Sequence, residues 1–423
     1  MRGDRAVLAI VAMVAFVAAL DTTVVASAGP SMGRELGLGL AVLGWAGIAY
    51  LLPYGVVMLP AGAVIDRLGR RRVLFAGCGL FAAGALLGGL AWSSGALLAA
   101  RGVQGFAAAF LVPGTLSLVR TGLPARRRAL AVAVWTAALA GALALGPLLG
   151  GVVAEHLHWR WIFLGTLPVF AVVAALVALA VGPEPVRAGT TVRRRAAALF
   201  RPPARRTFAG ANALMVLWGL GMSGIAFFTP LVHQRFLGLA PQAAGAPLVL
   251  VAVALVGTTP FVAPVSRALG PARGVCLGFL VVAAGLLAVA LVGTEPAVAP
   301  RFAGLLLVGV GAAFTAPVTA HALDVVAEED AATASGVLLS AQELAGALGV
   351  GLTGVVLTTV RAGELASGAE DGPALAAGYT AALLLAAVVH LLAAAVALVV
   401  LAPRGVAART DVRTTSSQEC ERP

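Results

Sequence analysis

The sequence predicts an all-α membrane protein that crosses the bilayer twelve times. Of its 423 residues, 60% are hydrophobic and 11% are charged, and the mean hydropathy is +0.99. A soluble domain carries about 25% charged residues. The apolar residues are gathered into twelve stretches, and each is long enough to cross about 30 Å of hydrocarbon as a helix.

Glycine, proline and arginine mark the boundaries of these stretches. In chain order, the predicted spans lie near residues 6–28, 41–64, 73–92, 96–119, 129–154, 161–182, 209–231, 244–266, 274–293, 299–322, 332–360 and 376–402. The first span continues through Asp21 without a small-residue cleavage site. We therefore expect a permanent helix there rather than a removable signal peptide.

Positive charge is distributed unequally between the two sides of the membrane. All 29 positively charged residues are arginine; 23 fall on the side that carries the N-terminus, and 5 fall on the other side. Because arginine-rich loops stay in the cytoplasm, both termini are predicted to be cytoplasmic. The net charge of +11 is then a topology signal, and no nucleic-acid partner is expected. Three scattered cysteines predict neither a disulfide nor a metal site.

The break between the sixth and seventh spans divides the chain into two halves. Residues 183–208 contain seven arginines and no apolar run that could cross the bilayer. We predict a first half over 1–182, a cytoplasmic linker over 183–208, a second half over 209–402 and a disordered cytoplasmic tail over 403–423.

An internal repeat supports this division. The segment VIDRLGRRRVL (64–74) aligns with VSRALGPARGV (265–275), and Arg101 falls opposite Arg301. Two pseudo-symmetric six-helix bundles follow from such a repeat. Chance similarity between loops rich in glycine and arginine is the alternative.

Three charged residues lie inside apolar spans and are candidates for proton coupling. A charge at the bilayer centre costs about 2.5–3.5 kcal/mol on insertion scales, so Asp21 needs a partner or a cavity. Arg101, in the fourth span, is expected at a similar depth, where it would tune the proton affinity of Asp21. The alternative for Arg101 is that it extends toward the membrane surface. For Glu343 three roles are open: a second proton site, a contact for a cationic substrate, or a carboxyl that is held neutral or faces a cytoplasmic vestibule.

Four local patterns resemble the major facilitator superfamily, particularly its drug:proton antiporter branch. The turn GAVIDRLGRRRVL resembles the signature loop between helices 2 and 3, which can latch one conformation of a moving bundle. RGVQGFAAAFLVPG resembles the helix-4 motif, GALALGPLLGG the antiporter motif of helix 5, and LDTTVVASAGP the helix-1 motif. The matching positions are Gly62, Asp66, Arg67, Gly69, Arg70 and Arg71 in the loop; Arg101, Gln104 and Gly105 in helix 4; and Gly146, Pro147, Gly150 and Gly151 in helix 5.

The chain departs from the branch at two motif positions and in its number of spans. Ala26 stands where asparagine is usual, and Ala142 stands where the helix-5 pattern has its leading glycine. Many close members have fourteen helices, whereas this chain has twelve apolar spans.

The resemblance implies a major facilitator fold and a proton-driven exporter of small amphipathic or cationic compounds. It implies a monomer in the plasma membrane, whose partners are its substrate, protons and lipid, with the proton gradient in place of a cofactor. No phosphate-binding loop for ATP occurs in the sequence. A narrow-specificity exporter of a metabolite or natural product is the alternative, and a non-transporting receptor is a more distant one. An enzyme is not expected, because no nucleophile and base stand out.

Overall fold

The computed structural model describes residues 2–182, 204–326 and 331–401, and within these ranges it is helical and contains no strand. Twelve helical spans in the described ranges are long and apolar enough to cross a membrane, which confirms the predicted all-α fold class. We number them span 1 to span 12 in chain order: Arg2–Leu36, Leu40–Leu68, Arg70–Gly89, Ser94–Gly122, Ala125–His156, Trp161–Ala180, Ala204–Phe236, Pro241–Leu269, Pro271–Leu291, Ala299–Asp324, Ala331–Ala366 and Asp371–Val400.

Most helices are longer than the apolar stretches that predict them. Span 1 extends over Arg2–Leu36, whereas its apolar stretch covers 6–28. Span 7 begins at Ala204, inside the segment predicted as a linker. Hydropathy detects the part of a helix that meets hydrocarbon, and a helix can continue into the polar layer. The rest of the predicted linker, 183–203, and the predicted tail, 403–423, lie outside the described residues.

Equivalent helices pack together in the two halves of the chain. Span 1 packs on span 5 as span 7 packs on span 11, and span 2 packs on span 4 as span 8 packs on span 10. The repeated loops also match in conformation, because Gly69 has φ +83° and Gly270 has φ +81°. Only glycine adopts this region without strain, so the same backbone turn joins spans 2 and 3 and spans 8 and 9.

Span 10 is interrupted where it borders the centre of the molecule. A short 3₁₀ segment, Ala313–Thr315, separates the helices Phe302–Ala312 and Ala316–Asp324. Pro317 follows this segment. Proline has no N–H to donate, and its ring clashes with the carbonyl four residues earlier, here that of Ala313. The break therefore has a local cause in the sequence.

The two halves meet at one end of the molecule. We call this the arginine-poor end; it carries Arg34, Arg235 and Arg361. We call the opposite end the arginine-rich end; it carries Arg70 to Arg72 and Arg126 to Arg128. At the arginine-poor end, Gln234 donates to the backbone oxygen of Ser27 at 2.7 Å, and the backbone N–H of Gln242 donates to Glu155 at 3.1 Å.

Glycines toward the arginine-rich ends of three spans face open space. A Cβ added at Gly62, Gly257 or Gly336, toward the arginine-rich ends of spans 2, 8 and 11, would have no heavy atom within 4 Å. The halves therefore enclose a central cavity, and the contacts of Gln234 and Gln242 close its arginine-poor end.

Candidate functional site

A cavity of about 400 Å³ lies between the two halves. This size is in the range that holds a drug-sized molecule. Most of its wall is apolar or aromatic, and Arg101 and Glu343 bring charge to it. The aromatic lining residues are Tyr50, Tyr54, Trp135, Trp218 and Phe227. Such a wall is suited to an amphipathic molecule, because rings cover apolar surface while a few polar groups orient it.

Asp21 and Arg101 form a buried ion pair at the edge of this cavity. Each residue is 1% exposed, and Nη1 of Arg101 donates to the carboxylate of Asp21. Nη2 of Arg101 donates to the backbone oxygen of Asp21 at 3.2 Å, and Nε donates to the backbone oxygen of Ala46 at 3.2 Å. Gln104 accepts from Nη1 at 3.1 Å and donates to Asp21 at 3.4 Å. The pair expected from the sequence therefore joins spans 1, 2 and 4.

Tyr50 completes this site. Its ring lies under the guanidinium of Arg101, whose Cζ is 4.4 Å from the ring centroid. Its hydroxyl donates to the backbone oxygen of Ala18 at 3.2 Å, and the residue is 0% exposed. A cation over a desolvated aromatic face is stabilised by about 2 kcal/mol. Tyr50 thus holds Arg101 against Asp21 while facing the cavity.

Local features of span 4 bring Arg101 to this position. The span begins after Ser93, whose hydroxyl accepts from the N–H of Ala96 at 3.3 Å and caps the helix. One turn beyond Arg101, a Cβ on Gly105 would collide with the carbonyl of Tyr50. Glycine at this position therefore allows span 4 to approach span 2 closely enough for Arg101 to reach its partners.

Glu343 lies apart from the ion pair and faces the same cavity. Tyr50 and Tyr54 are its electrostatic neighbours, and Gln342 lines the wall beside it. Within the described part of the chain, Glu343 makes no hydrogen bond or ion pair. A carboxyl group without a protein partner in an aromatic cavity is available to a proton or to a cationic ligand.

The glycines of the helix-5 pattern allow span 5 to approach two neighbours. A Cβ on Gly150 would lie 2.5 Å from the backbone oxygen of Val24 in span 1. A Cβ on Gly151 would lie 2.5 Å from Cα of Gln242 in span 8, across the division between the halves. Gly146 faces the side chain of Thr23, and Pro147 lines the cavity and contacts Gly245 of span 8. This segment therefore helps to close the arginine-poor end.

The loop between spans 2 and 3 has few contacts in this structure. Arg70 donates to the backbone oxygen of Ser117 in span 4 at 3.3 Å. Asp66, Arg67 and Gly62 are exposed, and Asp66 makes no hydrogen bond or ion pair with a described residue. Arg71 lies 5.8 Å from the ring centroid of Phe75.

The histidines outside the ion-pair site have other neighbours. His158 is 3.1 Å from Glu35, and His156 is 3.4 Å from Gln242. No group of three metal-ligating side chains occurs among the described residues. His390 is buried behind Trp218, with ring centroids 5.7 Å apart.

Arg301, the repeat counterpart of Arg101, has no carboxylate partner in the described ranges. It donates to the backbone oxygens of Ala297, Gly293 and Glu295. Within the part of the chain that the structure describes, the buried charged pair of the first half therefore has no counterpart at the equivalent position of the second half.

The sequence also matches a known protein family. Residues 11–350 match the model of the Major Facilitator Superfamily. The chain belongs to the major facilitator superfamily. This confirms the family predicted from the four sequence patterns.

Known members of the superfamily resemble the chain over most of its length or over a shorter part of it. The puromycin resistance protein pur8 of Streptomyces alboniger is 30% identical, with 92% of this chain and 90% of that protein aligned. The tetracenomycin C resistance and export protein of Streptomyces glaucescens is 27% identical, over 84% and 76%. An uncharacterised transporter of the superfamily from Mycobacterium tuberculosis is 42% identical over 36% of this chain and 27% of its own length.

A solved structure shares the fold. A bacterial homologue of the human lysosomal transporter Spinster, in an inward-facing and unoccupied conformation, has a TM-score of 0.75 at 17% identity, covering 93% of this chain and 96% of that one.

Two residues of this superfamily member's site were not singled out from the sequence. Tyr50 and Trp218 look like ordinary aromatic residues of apolar spans. Tyr50 is one of only three tyrosines in the chain. A buried tyrosine hydroxyl needs a hydrogen-bond partner, and this need is the sequence signal that could have drawn attention to Tyr50. The contact with Arg101 depends on how spans 2 and 4 cross, which no single-span pattern encodes.

Proposed function

We propose that this chain is a proton-coupled exporter of small amphipathic or cationic compounds that works by alternating access. The observation that carries the proposal is the buried pair of Asp21 and Arg101 beside an apolar cavity that is closed at one end. A buried pair of this kind is weak evidence for stability, because desolvation of the two charges offsets their attraction. Its position beside a cavity supports a role in transport.

Asp21 carries the coupling proton in this proposal. Protonation neutralises the carboxyl and weakens its attraction to Arg101, while Arg101 favours release of the proton. If the cavity opens alternately to either side, uptake of the proton outside and its release inside follow that exposure.

The driving force limits the gradient that one proton can sustain. One charge moving through 100 mV supplies about 2.3 kcal/mol. Each tenfold of substrate gradient requires about 1.4 kcal/mol. One proton then sustains a gradient of somewhat under a hundredfold for a neutral substrate. For a monovalent cation exchanged one for one, the charges cancel and only the pH gradient drives export.

The orientation in the membrane belongs to the same proposal. We assign the arginine-rich end to the cytoplasm, so that the described conformation faces inward. The loop with Asp66, Arg70 and Arg71 acts as a latch that closes when the two halves meet at that end. The exposure of Asp66 here supports an open latch.

The chemistry of the cavity supports the substrate class. Relatives whose names describe resistance to puromycin and export of tetracenomycin C support export of organic molecules. The aromatic wall and the carboxyl of Glu343 favour an amphipathic molecule with a positive charge. We propose transport without chemical conversion, by a monomer in the plasma membrane.

A second candidate function is export of one natural product. The similarity to resistance proteins of Streptomyces favours it, because each of those proteins is named for a single antibiotic. The two candidates differ in how many compounds the cavity accepts.

Accumulation of compounds in cells tests the proposal. Cells with the protein should accumulate less of a lipophilic cation than cells without it, and cells with the Asp21→Asn variant should match the latter. The Glu343→Gln variant should lose export of cations more than export of neutral compounds. Equal accumulation in all cells for a broad panel of compounds would contradict export of this class. Reduced accumulation of a single compound would support the second candidate.

A further inference from the structure

Five arginines lie at the arginine-poor end, although most of the arginines of the chain lie toward the other end. Three of the five have strong partners. Arg160 pairs with Glu35 and donates to the backbone oxygen of Ala91 at 2.8 Å. Arg301 is buried among three backbone oxygens, and Arg361 donates to Asp371 at 2.6 Å.

Arg34 and Arg235 are the remaining two, and they lie on opposite sides of the division between the halves. Both are exposed at the last turn of their helices, span 1 and span 7. Nη2 of Arg235 lies 3.8 Å from the position of a Cβ on Gly33, next to Arg34 in the other half. The charged neighbours of Arg235 are Asp371, Arg361 and Arg34.

Neither guanidinium has a carboxylate within ion-pair distance among the described residues. The side chain of Arg34 donates to the hydroxyl of Ser31 at 3.1 Å, a neutral partner. Asp371, the acid near Arg235, is already paired with Arg361. The closed end therefore brings two positive charges together, and neither of them has an acid in direct ion-pair contact among the described residues.

We propose that Arg34 and Arg235 form a binding site for a phosphate-type oxyanion that bridges the two halves at the arginine-poor end. Guanidinium groups are suited to this ligand, because their planar N–H donors match the oxygens of phosphate. The site exists only when this end is closed, since opening moves the two arginines apart with their halves.

The anion consequently stabilises the conformation that is open at the arginine-rich end. Without it, the two like charges repel each other and favour opening of the arginine-poor end. A ligand shifts a conformational equilibrium by its difference in affinity for the two states. The ligand is either a free oxyanion or the headgroup of an anionic lipid, which share the same phosphate chemistry.

Distance measurements between spin labels test the proposal without requiring transport. The labels replace Gly39 and Ala240, in the loops that follow spans 1 and 7, in a protein carrying Cys78→Ala, Cys276→Ala and Cys420→Ala. A Cβ at Gly39 has no heavy atom within 4 Å, so a label fits there. The protein is placed in nanodiscs of a zwitterionic betaine lipid, whose headgroup carries no phosphate, and sodium phosphate is compared with sodium chloride at equal ionic strength, which controls for general screening.

Phosphate should raise the ratio of molecules with a short distance between the two labels to molecules with a long distance about fivefold or more. This is the scale of a typical coupling between sites. The paired variant Arg34→Gln with Arg235→Gln should not respond. The paired variant Arg72→Gln with Arg273→Gln, which loses the same charge at the other end, should respond like the unsubstituted protein. Arg34→Lys with Arg235→Lys should respond weakly, since it keeps the charge and loses the planar donors.

The lipid arm distinguishes the source of the phosphate. If phosphatidylglycerol nanodiscs show the short distances before phosphate is added, the headgroup is the ligand. If they behave like zwitterionic nanodiscs, the ligand is a free oxyanion. The absence of any response to phosphate or phosphatidylglycerol, or an equal response in Arg34→Gln with Arg235→Gln, would overturn the site.

Discussion

Asp21 and Arg101 are both removed from water, so each depends on the other and on nearby dipoles. Removing one partner of a buried pair costs about 3–5 kcal/mol, because an uncompensated charge remains. Here the neighbours reduce that cost: Gln104 and the backbone oxygen of Ala46 also bond to the guanidinium. The site can therefore tolerate a change in the charge of Asp21. A residue that carries a proton requires this tolerance, because its charge changes each time the proton binds or leaves.

Substitution of Tyr50 should alter proton coupling through Arg101. Tyr50→Phe keeps the ring under the guanidinium and loses one hydrogen bond, worth about 1 kcal/mol. Tyr50→Leu also loses the cation–π contact, worth about 0.5–2 kcal/mol. We expect the pH profile of export to shift in Tyr50→Leu and to stay close to the unsubstituted profile in Tyr50→Phe. The profile is measured as initial efflux rate against pH in proteoliposomes. Equal profiles for the two variants would exclude this role of the ring.

Helix crossings depend on glycines whose partners lie in other helices. The pattern of span 5 predicts close packing, and the structure supplies the partners: Val24 of span 1 for Gly150 and Gln242 of span 8 for Gly151. The contact with span 8 crosses between the halves. A sequence pattern can identify such a helix, but it cannot identify the helix that approaches it.

Gly105 and Gly102 offer a matched test of packing in span 4. A Cβ at Gly105 would collide with the carbonyl of Tyr50, whereas the nearest atom to a Cβ at Gly102 is the backbone oxygen of Ala49 at 3.8 Å. Overpacking typically costs about 1–3 kcal/mol. Gly105→Ala should therefore lower the thermal unfolding midpoint, measured in detergent, and Gly102→Ala should not. A similar midpoint for both variants would contradict the close approach of spans 2 and 4.

Gly151 and Gly141 offer a second matched pair, in span 5. Gly151→Ala should disfavour closure of the arginine-poor end, because its Cβ meets span 8, and should shift the protein toward the opposite conformation. Gly141→Ala should leave the equilibrium unchanged, since its nearest atom is in the ring of Phe16 at 3.9 Å. Distances between labels on spans 5 and 8 measure the shift. If Gly151→Ala leaves these distances unchanged, the glycine does not control closure.

At the scale of the whole molecule, the two halves share a fold but differ in their charged groups. The sequence predicts the twelve spans and the repeat, because hydropathy and the Gly69 and Gly270 turns are local features. It also predicts that Asp21 and Arg101 lie at a similar depth. It does not predict that Arg301 binds only backbone oxygens, or that Tyr50 lies under Arg101, because these contacts depend on tertiary packing.

This asymmetry has a consequence for coupling. Two equivalent helix bundles form one cavity, and the buried ion pair beside it comes from the first half. The second half contributes Glu343, which has no described ion-pair partner. We therefore propose that Asp21 carries the coupling proton and that Glu343 recognises substrate charge, and the two roles are separable by substitution.

Efflux from proteoliposomes, with the pH gradient and the voltage imposed separately, tests whether Asp21 carries the coupling proton. Substrate binding to Asp21→Asn is measured first, to establish that the variant is folded. We expect the unsubstituted protein to export substrate against its gradient when a pH gradient is imposed. Asp21→Asn should bind substrate with similar affinity but should no longer respond to that gradient. Export driven by the pH gradient at an undiminished rate in Asp21→Asn would contradict the account and transfer the coupling role to Glu343 or another group.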